Sequence, residues 1–222
     1  MRENKTKSGP VILVVDYGAG NLRSVAKAFE KLDCNVHVSA SPSDIPAADA
    51  MILPGQGAAK ATMDGLRSRG LIDPICEYIS SGGPFFGICM GLQVLLRFSD
   101  EGDQECLGIL SGKVQRLPQD LKVPHIGWNE VHQSIPNPLF DNIPDRSFFY
   151  FAHSYYPVPE TSGVVTGTTD YGVRFCCSVA RENVVATLFH PEKSGALGLR
   201  LYENFINNWV LEKPWKSSLR LT

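Results

Sequence analysis

The stretch that decides the fold is PFFGICMGLQ, residues 84–93. Its first part, Pro84 to Ile88, is an apolar run typical of a strand that is buried on both faces. The residues from Met90 to Phe98 predict a helix. Cys89 stands at the turn between the two, in a Gly-x-Cys-x-Gly frame whose glycines leave room for a sharp change of direction. This arrangement predicts a nucleophile elbow, in which the turn projects the cysteine side chain out of the sheet.

The position of Cys89 favours a reactive thiol over a structural one. A thiol at the N-terminus of a helix lies near free N–H groups and the positive end of the dipole, which stabilise the thiolate. The alternative is a buried cysteine beside two glycines that pack a helix. The frame arises by chance in about one such chain in twenty, so the strand and helix around it, more than the motif, carry the catalytic interpretation.

Upstream of this turn, the sequence alternates strands and helices. The run Val11 to Val15 predicts a buried strand, and Asn21 can cap a helix whose apolar positions extend from Leu22 to Leu32. Short strands follow at Val36 to Val38 and Met51 to Leu53. Strand, helix and strand in this order imply right-handed crossovers and a parallel sheet.

Downstream of Gly102 the pattern changes to successive strand-like stretches separated by Pro, Gly, Asn and Asp. These are Gly112 to Leu117, Val123 to Val131, Ser147 to His153, Val164 to Thr169, Val173 to Val179 and Val184 to Phe189. A last helix begins near Ser194. We therefore expect a single α/β domain over 10–212, with a mostly parallel central sheet, flanking helices and an added mixed or antiparallel sheet. Residues 1–9 and 213–222 are expected to be tails.

Composition restricts the classes of partner and compartment. The 222 residues are 43% hydrophobic and 20% charged, with a net charge of −2, which argues against nucleic acid or an anionic membrane as partner. The polar N-terminus predicts no signal peptide, and no apolar run is long enough for a membrane span. The six cysteines form no Cys-x-x-Cys pair, and the adjacent Cys176 and Cys177 would point to opposite faces of a strand. We expect reduced thiols in a cytoplasmic protein.

A thiol nucleophile needs a base, and His190 is a candidate because it follows the apolar strand that ends at Phe189. Glu192, two residues later, could accept a hydrogen bond from the imidazole and fix its tautomer. Each of the two residues also has a structural explanation. Sequence spacing does not choose between His190 and the other histidines, which are His37, His125, His132 and His153.

The loop Pro54-Gly55-Gln56-Gly57 ends another apolar strand. Its glycines would let backbone N–H groups turn toward an anion, as an oxyanion hole requires. An ordinary strand-to-helix turn explains the same residues equally well, so the sequence leaves both interpretations open.

Taken together, these motifs resemble the class I glutamine amidotransferases. The segments that carry this resemblance are GICMGLQ (87–93), FHPEKS (189–194) and PGxG (54–57). Three further segments resemble one branch of that family, the glutaminase subunits of imidazole glycerol phosphate synthases. They are DYGAGN (16–21), PHIGWN (124–129) and HSYY (153–156). The resemblance extends from about residue 11 to residue 210.

The resemblance implies roles for individual residues. Cys89 would be the nucleophile, His190 the general base and acid, and Glu192 the carboxylate that orients it. The backbone N–H groups of Gln56 and Met90 would form the oxyanion hole. The residues that would line the glutamine pocket are Gly57, Gln93, Ser154 and Tyr155.

The resemblance also implies the reaction and the partner. The side-chain amide of L-glutamine would be attacked, ammonia released and a glutamyl thioester hydrolysed, without a metal ion or organic cofactor. The ammonia would pass to a (β/α)8-barrel cyclase subunit in a heterodimer, which makes imidazole glycerol phosphate and an aminoimidazole carboxamide ribotide for histidine biosynthesis. At Gln56 the chain departs from the family, where a small apolar residue such as valine is commoner. We expect the glycines of this loop to let the Gly55–Gln56 peptide rotate and control turnover.

Three alternatives share parts of this pattern. One is a glutaminase subunit serving anthranilate, aminodeoxychorismate, GMP or pyridoxal phosphate synthesis, against which the segments PHIGWN and HSYY argue. Another is a peptidase or thiol-stress protein with an elbow cysteine, but these usually place a histidine directly after the cysteine, where this chain has Met90. A catalytically dead binding module would be expected to lose Cys89, His190 or Glu192, and all three are present.

Overall fold

The run Val11–Val15 forms the first strand, β1, and its four residues from Ile12 are buried. In the computed structural model, which describes residues 9–212, twelve more strands follow. They are β2 Asn35–Ser39, β3 Ala50–Gly55, β4 Phe85–Cys89, β5 Phe98–Ser99, β6 Gln104–Glu105, β7 Gly112–Arg116, β8 His125–Gln133, β9 Ser147–His153, β10 Tyr155–Pro159, β11 Val165–Asp170, β12 Arg174–Arg181 and β13 Val184–Thr187. The α-helices are α1 Leu22–Glu30, α2 Ala59–Ser68, α3 Ile72–Ser80, α4 Met90–Gln93 and α5 Gly195–Phe205.

Nine strands form one large mixed sheet in the order β2-β1-β3-β4-β13-β12-β11-β8-β9. The pairs from β2 to β13 are parallel, and the pairs from β13 to β9 are antiparallel. The remaining strands form a second sheet in the order β10-β7-β5-β6. This architecture confirms the predicted single α/β domain with a parallel central region and an added mixed sheet.

The structure confirms the predicted cap of α1 and the predicted start of the last helix near Ser194. The Asn21 side chain accepts a hydrogen bond from the Ser24 N–H at 3.4 Å, so it caps α1 as expected. At the other end of the chain, the apolar face of α5 and of the π-helical turn Ile206–Leu211 is buried. Its members are Leu201, Tyr202, Phe205, Ile206 and Trp209.

The helix expected from Met90 to Phe98 is wrong beyond Gln93. The carbonyl groups of Val94, Leu95 and Leu96 accept hydrogen bonds from the segment 107–110 at 2.9 to 3.0 Å, instead of from the next helical turn. All three side chains are fully buried, so this segment is apolar on every side and packs as an irregular turn. Phe98 then enters the second sheet as part of β5.

Two helices, α2 and α3, were not predicted from the sequence. Both lie between β3 and β4 in the chain, and their residues Met63, Leu66, Ile75 and Ile79 are buried in the hydrophobic core. The predicted tails 1–9 and 213–222 lie outside the described residues, apart from Gly9. Among residues 9–212, no helix combines the length and apolar character needed to cross a membrane.

Candidate active site

Cys89 lies at a backbone turn that an L-residue rarely adopts, with φ of 53° and ψ of −101°. The two flanking glycines make that turn possible. A Cβ on Gly91 would lie 1.8 Å from the Leu53 carbonyl oxygen, and one on Gly87 would lie 2.7 Å from the Gly91 carbonyl oxygen. Because Cβ atoms never approach backbone this closely, the Gly-x-Cys-x-Gly frame is a steric requirement of the turn. Strain of this kind, of about 1–3 kcal/mol, is concentrated at functional sites.

The parallel register brings three loops to the same edge of the sheet. Gly55, at the end of β3, pairs with Cys89 at the end of β4. Thr187, at the end of β13, pairs with Ile88 on the other side of β4. The loops that follow β3 and β13 therefore lie beside the cysteine, and they carry Gln56 and His190. This agrees with the general tendency of open α/β sheets to bind ligands at the carboxyl ends of their strands.

Cys89, His190 and Glu192 form a chain of contacts. His190 Nδ1 lies 2.8 Å from Glu192 Oε1, and the two side chains are 3% and 2% exposed. The Tyr202 hydroxyl donates to the other carboxylate oxygen of Glu192 at 3.4 Å. Since Nδ1 is engaged by the carboxylate, Nε2 is the nitrogen left for the Cys89 thiol. This is the geometry of a nucleophile, a base and an orienting carboxylate.

The surroundings of His190 favour its charged form. Burial lowers the pKa of His190, but the hydrogen bonds to Cys89 and Glu192, together with their charges, outweigh burial and raise the pKa to about 9. The imidazole therefore carries a proton at neutral pH and can deliver it to a leaving group.

Ser194 holds His190 against the neighbouring strand. Its hydroxyl donates to the His190 carbonyl oxygen at 2.7 Å and accepts from the Tyr150 N–H at 3.0 Å. The His190 N–H in turn donates to the Tyr150 carbonyl oxygen at 2.9 Å. These three bonds tie the loop after β13 to β9, so the position of the base depends on that strand.

A cavity of about 260 Å³ opens directly over Cys89 and His190. The residues that the sequence predicted for the site line it, with the exception of Glu192, which lies behind His190; they are Gln56, Gly57, Cys89, Met90, Gln93, Ser154, Tyr155 and His190. Gln93 is 3% exposed, and its amide oxygen has no hydrogen-bond partner. A buried acceptor without a partner is costly, so this atom is available to a ligand that donates a hydrogen bond.

Two of the competing histidines form a separate, uncharged pair. His125 Nδ1 lies 3.0 Å from His153 Nε2, and His153 Nδ1 lies 3.0 Å from the Tyr155 carbonyl oxygen. The carbonyl can only accept, so His153 donates to Tyr155 and accepts from His125. Burial lowers the pKa of His125 to about 4, and burial with the charge of His125 lowers that of His153 to about 3. The pair shapes the wall of the cavity and stays neutral.

The sequence did not identify four other residues that line the cavity: Glu101, Pro124, Ala152 and Lys193. One Glu101 oxygen accepts from the Ala59 N–H at 2.7 Å, which fixes the carboxylate at the start of α2. Lys193 lies over the Tyr150 ring, with its ammonium 5.8 Å from the ring centre. Lys193 lies within the FHPEKS segment and could have been noticed, whereas Glu101 stands in an acidic turn with no pattern of its own.

Comparisons with known proteins show the family of the chain. The family model "Glutamine amidotransferase class-I" matches residues 13–209. The chain is 50% identical over 196 residues to the imidazole glycerol phosphate synthase subunit HisH of Dehalococcoides mccartyi, covering 88% of this chain and 96% of that protein. It is 47% identical over 211 residues to the subunit HisH of Desulfitobacterium hafniense, covering 95% of this chain and 100% of that protein.

Solved structures share the fold at low sequence identity. A glutamine amidotransferase crystal structure aligns with a TM-score of 0.70 at 20% identity, over 88% of this chain and 97% of that one. A chain of PurLQS from Thermotoga maritima aligns with a TM-score of 0.72 at 19% identity, over 90% and 98%. On the family match and the curated relatives, the chain belongs to the class I glutamine amidotransferase family, and within it to the family of the HisH subunits.

Proposed function

We propose that the chain hydrolyses L-glutamine to glutamate and ammonia as the glutaminase subunit of an imidazole glycerol phosphate synthase in histidine biosynthesis. The observation that carries this proposal is the contact of Cys89 with His190, and of His190 with Glu192, beside a cavity of about 260 Å³. The family match and the named relatives support the same reaction. None of the six cysteines, all within residues 9–212, forms a disulfide, which suits the reducing cytoplasm where we place the reaction.

In the first half-reaction the Cys89 thiolate attacks the side-chain amide carbon of glutamine, and the carbonyl electron pair moves onto oxygen. The backbone N–H groups of Met90 and Gln56 stabilise this oxyanion. The intermediate then collapses, and the C–N bond breaks while His190 gives its proton to the leaving nitrogen. Ammonia departs and a glutamyl thioester remains on Cys89.

In the second half-reaction the neutral His190 takes a proton from water, whose oxygen attacks the thioester carbon. The C–S bond breaks, Cys89 leaves again as a thiolate, and the protonated His190 is restored. Glutamic acid leaves and loses its proton to solvent. These steps use a thiolate, an imidazole, water and backbone dipoles, so we propose no metal ion or organic cofactor in the glutaminase reaction.

The walls of the cavity suit the other groups of glutamine. The Glu101 carboxylate is the acceptor that a substrate α-ammonium group requires, and it is already fixed by Ala59. The unpaired Gln93 oxygen can accept from a donor group of the substrate. Gly57, Ser154 and Tyr155 complete the pocket in our proposal.

The partner surface that we propose is one face of β8 and β9. Ile126, Trp128 and Phe148 are 62%, 55% and 52% exposed, which is unusual for large apolar side chains. Trp128 pairs with Tyr150 across the two strands, and Ile126 pairs with Ala152, which lines the cavity. We refer to Ile126, Trp128, Phe148 and Tyr150 as the β8–β9 face.

The β8–β9 face lies beside the cavity, so a subunit bound there would cover the place where ammonia is released. We propose that the occupant is a (β/α)8-barrel cyclase subunit in a heterodimer. Covering the exit would keep ammonia from water until it reaches the acceptor substrate. The apolar character of the face, with Trp128 at its centre, is typical of an interface core.

A direct test of the function mixes the chain with the cyclase subunit of a histidine pathway and measures co-elution and glutamate release. We expect one complex with one copy of each subunit, and faster glutamine hydrolysis in the complex than in the free chain. Stimulation by an anthranilate or aminodeoxychorismate synthase, with none by the cyclase, would contradict the assignment.

Replacing Trp128 by alanine should weaken the complex without changing the triad. An exposed indole at the centre of an interface is typically worth about 2 kcal/mol or more, so we expect the Kd for the cyclase subunit to rise by roughly 30-fold. Isothermal titration calorimetry measures this change. Val38→Ala is the matched control, because Val38 is also exposed but lies on β2 at the opposite edge of the sheet. An equal effect of the two substitutions would place the partner elsewhere.

A further inference from the structure

One wall of the cavity is formed where the chain crosses from one sheet to the other. β9 ends at His153 and β10 begins at Tyr155, so Ser154 alone joins the nine-stranded sheet to the second sheet. Ser154 and Tyr155 both line the cavity. The Leu117 N–H donates to the Ser154 carbonyl oxygen at 3.0 Å, and His153 Nδ1 lies 3.0 Å from the Tyr155 carbonyl oxygen. The His153 imidazole therefore helps to fix this wall from the end of its own strand.

A second imidazole supports the first from the neighbouring strand. His125 lies opposite His153 in the pairing of β8 with β9, and the two residues are 3% and 4% exposed. The His125 ring stacks on Phe151, with centroids 5.0 Å apart, and on Tyr171, with centroids 4.0 Å apart. Both pairs of rings are within 20° of parallel. These stacked contacts restrict the orientation of the His125 ring and so of its two nitrogens.

The direction of hydrogen bonding in this pair follows from the carbonyl group at its end. Burial lowers the pKa of both rings, which keeps each of them neutral, with one donor and one acceptor nitrogen. A carbonyl oxygen can only accept, so His153 Nδ1 carries a proton and His153 Nε2 accepts. His125 Nδ1, 3.0 Å from that nitrogen, is then the donor. Both rings are thus assigned as Nδ1–H tautomers.

Asn129 supports the same assignment from the other end. Its amide nitrogen donates to the Asp170 carbonyl oxygen at 2.8 Å and lies 3.4 Å from His125 Nε2. Its amide oxygen accepts from the Glu130 N–H at 2.9 Å, which fixes the orientation of the amide. The nitrogen therefore faces the bare Nε2 of His125. The donors run in one direction, from Asn129 through both imidazoles to the carbonyl group at the cavity wall.

We propose that His125 is a positioning residue for glutamine binding, which acts through His153 to hold the wall at Ser154 and Tyr155 in the conformation that accepts the substrate. His125 does not line the cavity, so it acts without touching glutamine. The proton transfers of the reaction stay with His190. A wall that contacts the substrate before and during the reaction contributes equally to both states, so its position affects KM more than kcat. This inference rests on the proposed glutaminase function.

The test compares two replacements of His125 in the complex with the cyclase subunit and its acceptor substrate. His125→Phe keeps a ring that can stack on Phe151 and Tyr171, but it removes the donor to His153. His125→Asn loses the ring and keeps an amide N–H at the position of Nδ1. We expect His125→Phe to raise KM for glutamine roughly tenfold, the effect of about one hydrogen bond, with kcat within about twofold. The KM of His125→Asn should stay within about threefold of the unmodified value, because the donor is kept.

His132→Phe is the matched control, because His132 lies on the same strand and outside the cavity wall. It should change neither kcat nor KM. An unchanged KM in His125→Phe would overturn the proposal, and so would an equal rise in His125→Phe and His125→Asn. An equal rise in the control would show that any substitution on β8 has this effect, which would also overturn it.

Nitrogen NMR of the unmodified chain, labelled in its histidines, tests the hydrogen-bond chain without any substitution. Protonated and bare ring nitrogens differ in chemical shift, so the spectrum reports each tautomer. We expect Nδ1–H tautomers for both His125 and His153 at neutral pH. A proton on Nε2 of His153 would overturn the role of the pair. An unmodified complex that hydrolyses no glutamine would instead overturn the proposed function, while the tautomer spectrum still decides the hydrogen-bond chain.

Discussion

Replacing Cys89 by alanine should reduce glutamine-dependent product formation by roughly 10⁴- to 10⁶-fold, the loss typical of removing the nucleophile from a coupled triad. The substitution deletes one sulfur atom and leaves the strained turn in place, because Gly87 and Gly91 still accommodate it. The fold and the β8–β9 face should therefore be intact. The measurement is glutamate release and cyclase product formation by the reconstituted complex, with glutamine as the nitrogen source.

The same Cys89→Ala complex should still form cyclase product when it is given an ammonium salt, because only the source of ammonia is lost. Cys76→Ala is the matched control, since Cys76 is a partly buried free thiol on α3 outside the cavity. It should retain full activity. The nucleophile assignment would be refuted if the purified Cys89→Ala protein kept more than a small percentage of the original rate with glutamine.

Replacing His190 by alanine should lower glutamine turnover by several orders of magnitude, and Glu192→Gln should lower it less. His190 moves the proton in both half-reactions, whereas Glu192 acts through it from behind the cavity. Because the three residues work as a unit, the loss in Cys89→Ala combined with His190→Ala should match the larger single loss. Single-turnover kinetics of the unmodified chain, the Cys89→Ala and His190→Ala variants and their combination measures this coupling. A double variant far slower than either single one would contradict a coupled triad.

The raised pKa of His190 also predicts how the free energy of unfolding depends on pH. The pKa is raised from 6.5 to about 9 by the hydrogen bonds to Cys89 and Glu192, which outweigh burial. The folded state therefore binds the proton more tightly than the unfolded state, and this contribution to stability is complete below pH 6.5. It is lost as the pH rises from 6.5 through about 9. Denaturant unfolding should show this decline in the unmodified chain and a smaller one in His190→Ala.

The parts of the fold that could be predicted from the sequence are those with one dominant local signal. The run Val11–Val15 is apolar throughout, so its pattern favours a buried strand and no helix. In the frame around Cys89, the two glycines mark a turn that has no room for a Cβ. The end of α4 had no such signal. Val94 to Leu96 continue an apolar pattern, but hydrogen bonds to a segment more than ten residues away decide their conformation. Contacts distant in sequence are the physical reason that helix ends are hard to predict.

The sequence predicted which types of residue carry the chemistry of the candidate site. The spacing of the histidines did not show which of them is the base. The choice depends on strand order: β13 lies next to β4, which brings His190 to Cys89. His153 also lines the cavity, but it is committed to His125 and the Tyr155 carbonyl. Neither strand adjacency nor the tautomer of a buried pair is encoded in local spacing. The roles of the named residues remain predictions until the substitutions are made.

The location of β9 has a consequence for how the chain must be produced. This strand is the last in the nine-stranded sheet, so one row of its backbone hydrogen-bonding groups has no neighbouring strand in that sheet, and Phe148 is exposed on it. The loop after β13 occupies this edge at Tyr150, and the exposed apolar side chains beside the edge favour aggregation between identical chains. The face proposed to bind the cyclase subunit is thus also a surface through which identical chains can associate. Balanced synthesis of the two subunits would protect solubility as well as supply the acceptor for ammonia.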